Sequence, residues 1–367
     1  MNRLSDTEAL FLPFLQIPSG HHHVADTLMT EYNQVYPQKR SIKLDLLAYS
    51  YGNLEAVVSS IYTNWIKYFP DSYDRLYQQL AFKKATKRTR HFHYELLFRP
   101  FLDKLIKDTN PEILFFTHAL PSNMASVLKQ KKKLSAITVN VYTDFFINRL
   151  WGINGIDFHF VPSVSVRDFL IRLGVREDAI FVTGIPVHPV FRQSRVQTAF
   201  RQSLLVTGGS LGTGRMNELL SSGNLPTQWH LYILCGQNRQ LYQHLLQKQL
   251  PMITPIPYIE SKQEMNELYQ KVDAVITKPG GVTISECLIK KKPIFIYNAL
   301  PGQEKINVQE LSQLGLIHQL GEEALETQIN RYFMEGNDSY FMNQLKRYDE
   351  ERINQTIGEL IQRIMNS

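Results

Sequence analysis

Short apolar runs alternate with stretches of helical spacing along most of the chain. ALFLPFL, IKLDLL, EILFFT, AITVNVY, DFHFVPS and AIFVTG form a first series, and SLLVTGG, WHLYILCG, DAVITK and KPIFIY a second. Most of these runs are continuous and bounded by Gly, Pro, Asn, Asp or Ser. A half-exposed strand would alternate apolar with polar residues, so continuous runs predict strands covered on both faces. Between them, spacings such as Ala25, Leu28, Met29, Tyr32 and Val35 predict helices with one buried face. The alternation occurs twice and predicts an α/β chain with two parallel sheets. The two series meet at TGIPVHPVFRQSRVQ, where Pro186 and Pro189 interrupt regular structure, so a linker is expected at about 186–200. The last segment, FMNQLKRYDEERINQTIGELIQRIM, predicts a single amphipathic helix. The expected domains are therefore 1–187 and 198–345, followed by a helical tail at 346–367.

Composition narrows the class. A chain of 367 residues exceeds one ordinary core and suits two domains. With 43% hydrophobic and 20% charged residues it reads as a folded protein. No apolar run approaches a membrane span. At the N-terminus Asp6 and Glu8 precede the apolar stretch and Pro13 interrupts it, which predicts a first buried strand rather than a secretory leader. Cys235 and Cys287 form no disulfide framework, so a reducing cytoplasm is expected.

The chemistry concentrates at TKPGGVTISE, Thr277 to Glu286. An apolar strand ends there in Lys-Pro-Gly-Gly and a helix follows at once. A helix start leaves backbone N–H groups unpaired and carries partial positive charge. Gly280 and Gly281 let a ligand approach that backbone with no Cβ in the way, and phosphate is its natural occupant. Glu286, one to two turns further on, suits the hydroxyls of a ribose. A second glycine turn, VTGGSLGTG, offers the N–H groups of Gly208, Gly209 and Ser210. Neither turn is a GxGxxG or a P-loop lysine motif, and two tight, capped strand–helix turns are the plain alternative. PGQEKIN adds Gln303, Glu304 and Asn307 after another strand, at the carboxyl edge where open α/β sheets bind ligands.

These residues resemble a known family. ITKPGGVTISECLIKKKPIFIYNALPGQEKIN is similar to the nucleotide-sugar site of the diacylglycerol glycosyltransferases, which comprise the monogalactosyldiacylglycerol synthases and the processive diacylglycerol glucosyltransferases. PSGHHHVADTL, LDLLAYSYGNLEAVVSSIY, TDFFINRLW, VTGIPVHPVF, LLVTGGSLGTG and LCGQNRQLYQHL follow in the family's order, so the resemblance spans nearly the whole chain. It implies a GT-B architecture of two Rossmann-like domains around a cleft, an acceptor and membrane side in the first domain, and a UDP-sugar donor in the second. By motif, Glu286 would hold the ribose. Lys278, Pro279, Gly280, Gly281 and Thr283 would surround the diphosphate, and Gln303 and Glu304 would meet the hexose. PIPYIES points to Tyr258 and Ile259 at uracil, with Pro257 where the family usually has glycine and so one N–H fewer.

His21, after Gly20, falls on the family's N-terminal histidine. A neutral imidazole can take a proton from an attacking hydroxyl near neutral pH, and a charged one can stabilise a leaving diphosphate. The run His21–His22–His23 also raises a metal, but consecutive residues do not share a helix face and no metal is expected. Asp144, in VYTDF, is the second candidate for base or acceptor contact. Asn148 stands where relatives commonly carry histidine, and an amide exchanges no proton near neutrality.

The stretch from Tyr49 to Lys107 carries Tyr62, Trp65, Tyr68, Phe69, Tyr73, Tyr77 and Phe82, then Lys83, Lys84, Lys87, Arg88 and Arg90. Alone it reads as a solvated face beside an aromatic core. With a lipid-modifying resemblance it predicts peripheral contact with an anionic membrane surface on its cytoplasmic side. No nucleic-acid module accompanies these lysines. Lys131–Lys133 and Lys290–Lys292 are expected as exposed helix ends. The expected activity is inverting transfer of a hexose from UDP to a diacylglycerol-type lipid without a metal. A nucleotide-sugar epimerase, a UDP-sugar-binding protein and a transferase with a non-lipid acceptor are the alternatives.

Overall fold

The computed structural model describes residues 7–14, 20–51, 92–193, 200–208, 226–300 and 302–367, without the side chains of 51 and 92–97. Trp65, Tyr68, Phe69, Lys83, Lys84, Lys87 and Arg88 lie outside the described residues, as do Gly209 and Ser210. The chain divides into two compact units, Met1–Pro186 with Glu351–Ser367, and Val187–Glu350.

The first unit holds a six-stranded parallel sheet of order β2-β1-β3-β4-β5-β6. Its strands are β1 Ala9–Leu12, β2 Ser41–Lys43, β3 Ile113–Phe116, β4 Ile137–Val141, β5 Phe158–Val161 and β6 Ile180–Val182. Every residue of β1 and β3 is buried, which is why both read as unbroken apolar runs. Leu10 registers with Ile42 on one side and Leu114 on the other. Helices α1 Gly20–Val35, α2 Leu46–Tyr51, α3 Phe92–Thr109, α4 Ala119–Gln130 and α5 Val164–Arg172 belong to this unit. Leu102, Leu105, Met124 and Leu128 pack with Leu10, Leu12, Leu114 and Phe116 in its core. IKLDLL is a strand only as far as Lys43. The Asp45 carboxylate accepts the N–H groups of Leu47 at 2.9 Å and Ala48 at 3.1 Å, which starts α2.

The second unit holds a six-stranded parallel sheet of order β12-β11-β10-β7-β8-β9. Its strands are β7 Ser203–Thr207, β8 His230–Leu234, β9 Ile253–Ile256, β10 Ala274–Thr277, β11 Ile294–Ile296 and β12 His318–Gln319. Helices α6 Arg239–Lys248, α7 Lys262–Lys271, α8 Gly281–Ile289, α9 Gln303–Gln313, α10 Leu325–Met334 and α11 Asn337–Glu350 belong to it. Trp229, Leu231, Ile233, Leu204, Val206, Ile276 and Phe295 form its core. Lys290 and Lys292 are not exposed, each being 8% accessible. Lys290 Nζ donates to the Gln193 carbonyl and to Asn266 Oδ1, both at 2.8 Å, and Lys292 Nζ to the Val272 carbonyl at 2.6 Å. Lys131–Lys133 are exposed as expected.

The C-terminal segment is two helices rather than one. Between α11 and α12 (Ile357–Met365) the Ile353 N–H donates to the Val182 carbonyl at 2.8 Å. Thr356 then caps α12: its Oγ1 accepts the Glu359 N–H at 3.2 Å, and Glu359 Oε2 accepts the Thr356 N–H at 2.7 Å. α12 packs along α1, and Gly358 lies against Glu31 and Val35.

In both sheets the chain first builds to one side and then returns to the other. The reversal falls between β1 and β3 in the first sheet and between β7 and β10 in the second. Parallel sheets bind ligands outside the carboxyl ends of the strands at such a point.

Candidate active site

In the second unit β10 ends at Thr277 and α8 begins at Gly281, so the Lys-Pro-Gly turn lies at that reversal. The Gly280 N–H closes the turn on the Lys278 carbonyl at 2.8 Å. Gly280 is exposed with φ −79°, a conformation open to any residue, and a Cβ there would meet nothing within 4 Å. Neither backbone nor packing requires glycine at this position. What glycine preserves is open access to the start of α8. Ile284 is the first residue bonded back to the Gly280 carbonyl, at 3.0 Å, and Gly280 supplies no capping side chain. The turn is braced from behind by Asn307, 1% accessible, whose Nδ2 donates to the Pro279 carbonyl at 3.0 Å. Thr283 and Lys278 are half-buried beside the turn.

Glu286 is 8% accessible, one turn into α8. Its Oε2 accepts the Tyr269 hydroxyl at 2.9 Å. Burial raises its pKa, opposed by the Lys262 charge and the Tyr269 hydrogen bond. The next turn is also fixed: Glu304 Oε2 accepts the Leu300 N–H at 2.6 Å, and Gly302 sits at φ +89°, where a side chain would strain the backbone. Gln303 and Glu304 open α9 half-buried. Tyr258 and Ile259 are half-buried between β9 and α7, and Gly208 is buried at the end of β7. Tyr297, not singled out in the sequence, ends the KPIFIY run. Its hydroxyl is buried without a hydrogen-bond partner among the described residues, and burial raises its pKa, with the nearby Glu304 charge adding to the shift.

In the first unit Gly20 opens α1 and places the three histidines in its first turn. His21 Nδ1 lies 2.6 Å from the Thr117 carbonyl and 3.0 Å from Thr143 Oγ1. A carbonyl only accepts, so Nδ1 carries the proton and Nε2 holds the free electron pair. Burial lowers the His21 pKa; the Asp144 charge and the Thr117 carbonyl oppose it, and His22 adds to it. Asp144 is half-buried after β4 and acts on His21 electrostatically. His22 Nε2 lies 3.4 Å from Asp45. Asn148 Oδ1 accepts the Leu150 N–H at 3.0 Å, a local turn contact. His118 also lies here, at the end of β3, and its place beside His21 was not legible in the linear sequence. Among the described residues no group of three His, Cys, Asp or Glu side chains is disposed to hold a metal ion.

The model of the monogalactosyldiacylglycerol (MGDG) synthase family matches residues 21–187, and that of the glycosyltransferase family 28 C-terminal domain matches residues 203–335. A Bacillus subtilis (strain 168) protein described as the uncharacterized glycosyltransferase YkoN is 40% identical over 368 residues, 96% of this chain and 94% of that one. The chain belongs to the diacylglycerol glycosyltransferase family. Within this family, the processive diacylglycerol beta-glucosyltransferase of Bacillus pumilus (strain SAFR-032) is 27% identical over 341 residues, 85% of this chain and 83% of that one. The fold is the GT-B architecture of glycosyltransferases. Acinetobacter baumannii MurG superimposes with a TM-score of 0.62 at 13% identity, over 98% of this chain and 100% of that one. The glycosyltransferase of kitacinnamycin gives a TM-score of 0.59 at 12% identity, over 97% and 98%.

Proposed function

We propose that this glycosyltransferase moves a hexose from a UDP-sugar to the hydroxyl of a diacylglycerol or glycosyl-diacylglycerol, inverting the anomeric carbon. The observation that carries the donor half is Gly280, a glycine that the free protein does not need, in front of an uncapped helix start. The curated relatives supply the lipid half, being named processive diacylglycerol beta-glucosyltransferases.

In this reading the N–H groups of the α8 start and of the Gly208–Ser210 turn bind the diphosphate. Glu286, held by Tyr269, accepts the ribose hydroxyls; Gln303 and Glu304 take the hexose, and Tyr258 and Ile259 the uracil. His21 Nε2 removes the proton from the acceptor hydroxyl while that oxygen bonds to the anomeric carbon. The bond from this carbon to the diphosphate breaks, and its electron pair leaves on the phosphate oxygen. The charge that develops there is met by fixed amide dipoles, so the scheme needs no metal. Asp144 stabilises the imidazolium that forms.

The test is incubation with several UDP-hexoses and diacylglycerol vesicles, followed by separation of the lipids. A new glycolipid is expected. UDP-sugar turnover without any acceptor product would indicate an isomerase instead. His21→Ala should slow transfer by about 10²-fold or more, with UDP affinity little changed. An unaltered rate would remove His21 from the base role.

A further inference from the structure

His118 caps α4 with its ring. Its Nδ1 accepts the Leu120 N–H at 3.2 Å, so the proton sits on Nε2 and the ring is neutral. Phe14 stacks on it at 5.0 Å with the planes 24° apart. His21 meets it edge to face, with ring centroids 4.8 Å apart and planes at 82°. His21 is therefore bounded by the Thr117 carbonyl and the Thr143 hydroxyl at its Nδ1 and by the His118 ring beside it.

We propose that His118 is a positioning residue for His21: held by the Leu120 amide and by Phe14, its neutral ring is the wall that keeps the His21 imidazole on Thr117 and shields it from water. The effect on His21 stands on this geometry alone, and its consequence for transfer rests on the proposed role of His21 as proton acceptor. Among the described residues, the other charged and titratable groups that act on His21 are His22 on α1 and Asp144 after β4, with Asp45 behind His22. Asp144 favours the imidazolium, and burial disfavours it and prevails. Opening the wall to water weakens the burial effect and leaves Asp144 and Thr117 less opposed. The His21 pKa must then rise toward its ordinary value.

Two substitutions separate ring from cap. His118→Asn keeps a capping oxygen and loses the ring. His118→Phe keeps a ring against Phe14 and loses the cap. NMR titration of ¹⁵N-histidine-labelled full chain reads His21 directly. The Asn variant is expected to raise the His21 midpoint by about one pH unit and the Phe variant to leave it near wild type. The acid limb of kcat/KM should move with it, with KM for the UDP-hexose unchanged. Should the Asn variant not fold, Phe14→Leu loosens the same wall and is expected to shift His21 in the same direction. An unmoved His21 midpoint in the folded ring-less variant, or an equal shift in the Phe variant, overturns the proposal. If no UDP-hexose is turned over, the proposed function fails, and the titration still decides the role of His118.

Discussion

A β-carbon on Gly280 would stand in open space, so packing does not require glycine there, and the proposed donor site is what gives this glycine a use. Gly280→Ala should leave thermal stability within about 1 kcal/mol of wild type, because its φ of −79° suits alanine and the conformational entropy that alanine removes from the unfolded chain offsets its poorer preference for the N-cap. The same change should weaken UDP binding by about tenfold or more, measured by calorimetry. Equal UDP affinity in the variant would mean that nothing sits on that turn. His159 gives a second prediction at this scale. It is fully buried, bonded at Nδ1 to the Tyr142 hydroxyl at 2.9 Å, and burial pushes its pKa down to about 3. The unfolded chain takes up the proton near pH 6.5, the folded one only near 3, so stability is lost as pH falls through that window. Between pH 7 and pH 5 the loss should reach about 2 kcal/mol in urea denaturation, and His159→Gln should abolish that share of the slope. The place of single residues was legible where local chain pattern sets it: Gly280 lies on the strand-to-helix turn and Glu286 on the helix that follows, as their sequence predicts. His118 and Tyr297 were not, because a ring beside His21 and a buried hydroxyl are products of strands distant in sequence.

Elements were legible where burial is two-sided. The ten apolar runs all contain strands of the two sheets, and the positions they left out are sheet edges. β9 carries Pro255, which only an edge or irregular position tolerates, and β12 is two residues long. Polar punctuation was harder to read than apolar runs. Asp45 ends a strand and caps a helix within one apolar stretch, and the Thr356–Glu359 capping box divides what hydrophobic spacing joins into one helix. Lys290 and Lys292, expected at an exposed helix end, are buried for a related reason. Their ammonium groups satisfy carbonyls of other segments, and nothing in a Lys-rich run announces that. The α1–α12 contact is testable on its own. A Cβ on Gly358 would lie 3.0 Å from Val35 Cγ2 and 3.3 Å from Glu31 Oε2. Gly358→Ala gains helix propensity but overpacks this contact, so a net loss of about 1–2 kcal/mol is expected in thermal unfolding. A stabilised variant would show that α12 moves away from α1 at little cost.

The whole molecule must reach an insoluble acceptor if the proposed function holds. Among the described residues no helix is long and apolar enough to cross a membrane. The chain carries a net charge of +6, and Lys83, Lys84, Lys87 and Arg88 follow an aromatic stretch that includes Trp65, Tyr68 and Phe69. Each cation near an anionic surface contributes about 1 kcal/mol, so the four together favour binding by about 10²- to 10³-fold. That share is electrostatic, and screening shortens its reach from about 10 Å at 0.1 M salt to about 3 Å at 1 M. Aromatic insertion is insensitive to salt. Co-sedimentation with anionic vesicles should therefore be strong at 0.1 M salt and mostly lost at 1 M, and neutral vesicles should retain only the weak aromatic share. Replacing the four cations by Gln should match the high-salt result at low salt while UDP affinity is preserved. Replacing Trp65 and Phe69 by Ser should remove what persists at 1 M. If the Gln variant sediments like wild type at low salt, the membrane-facing surface lies elsewhere on the molecule, and the lipid acceptor must be reached by another route.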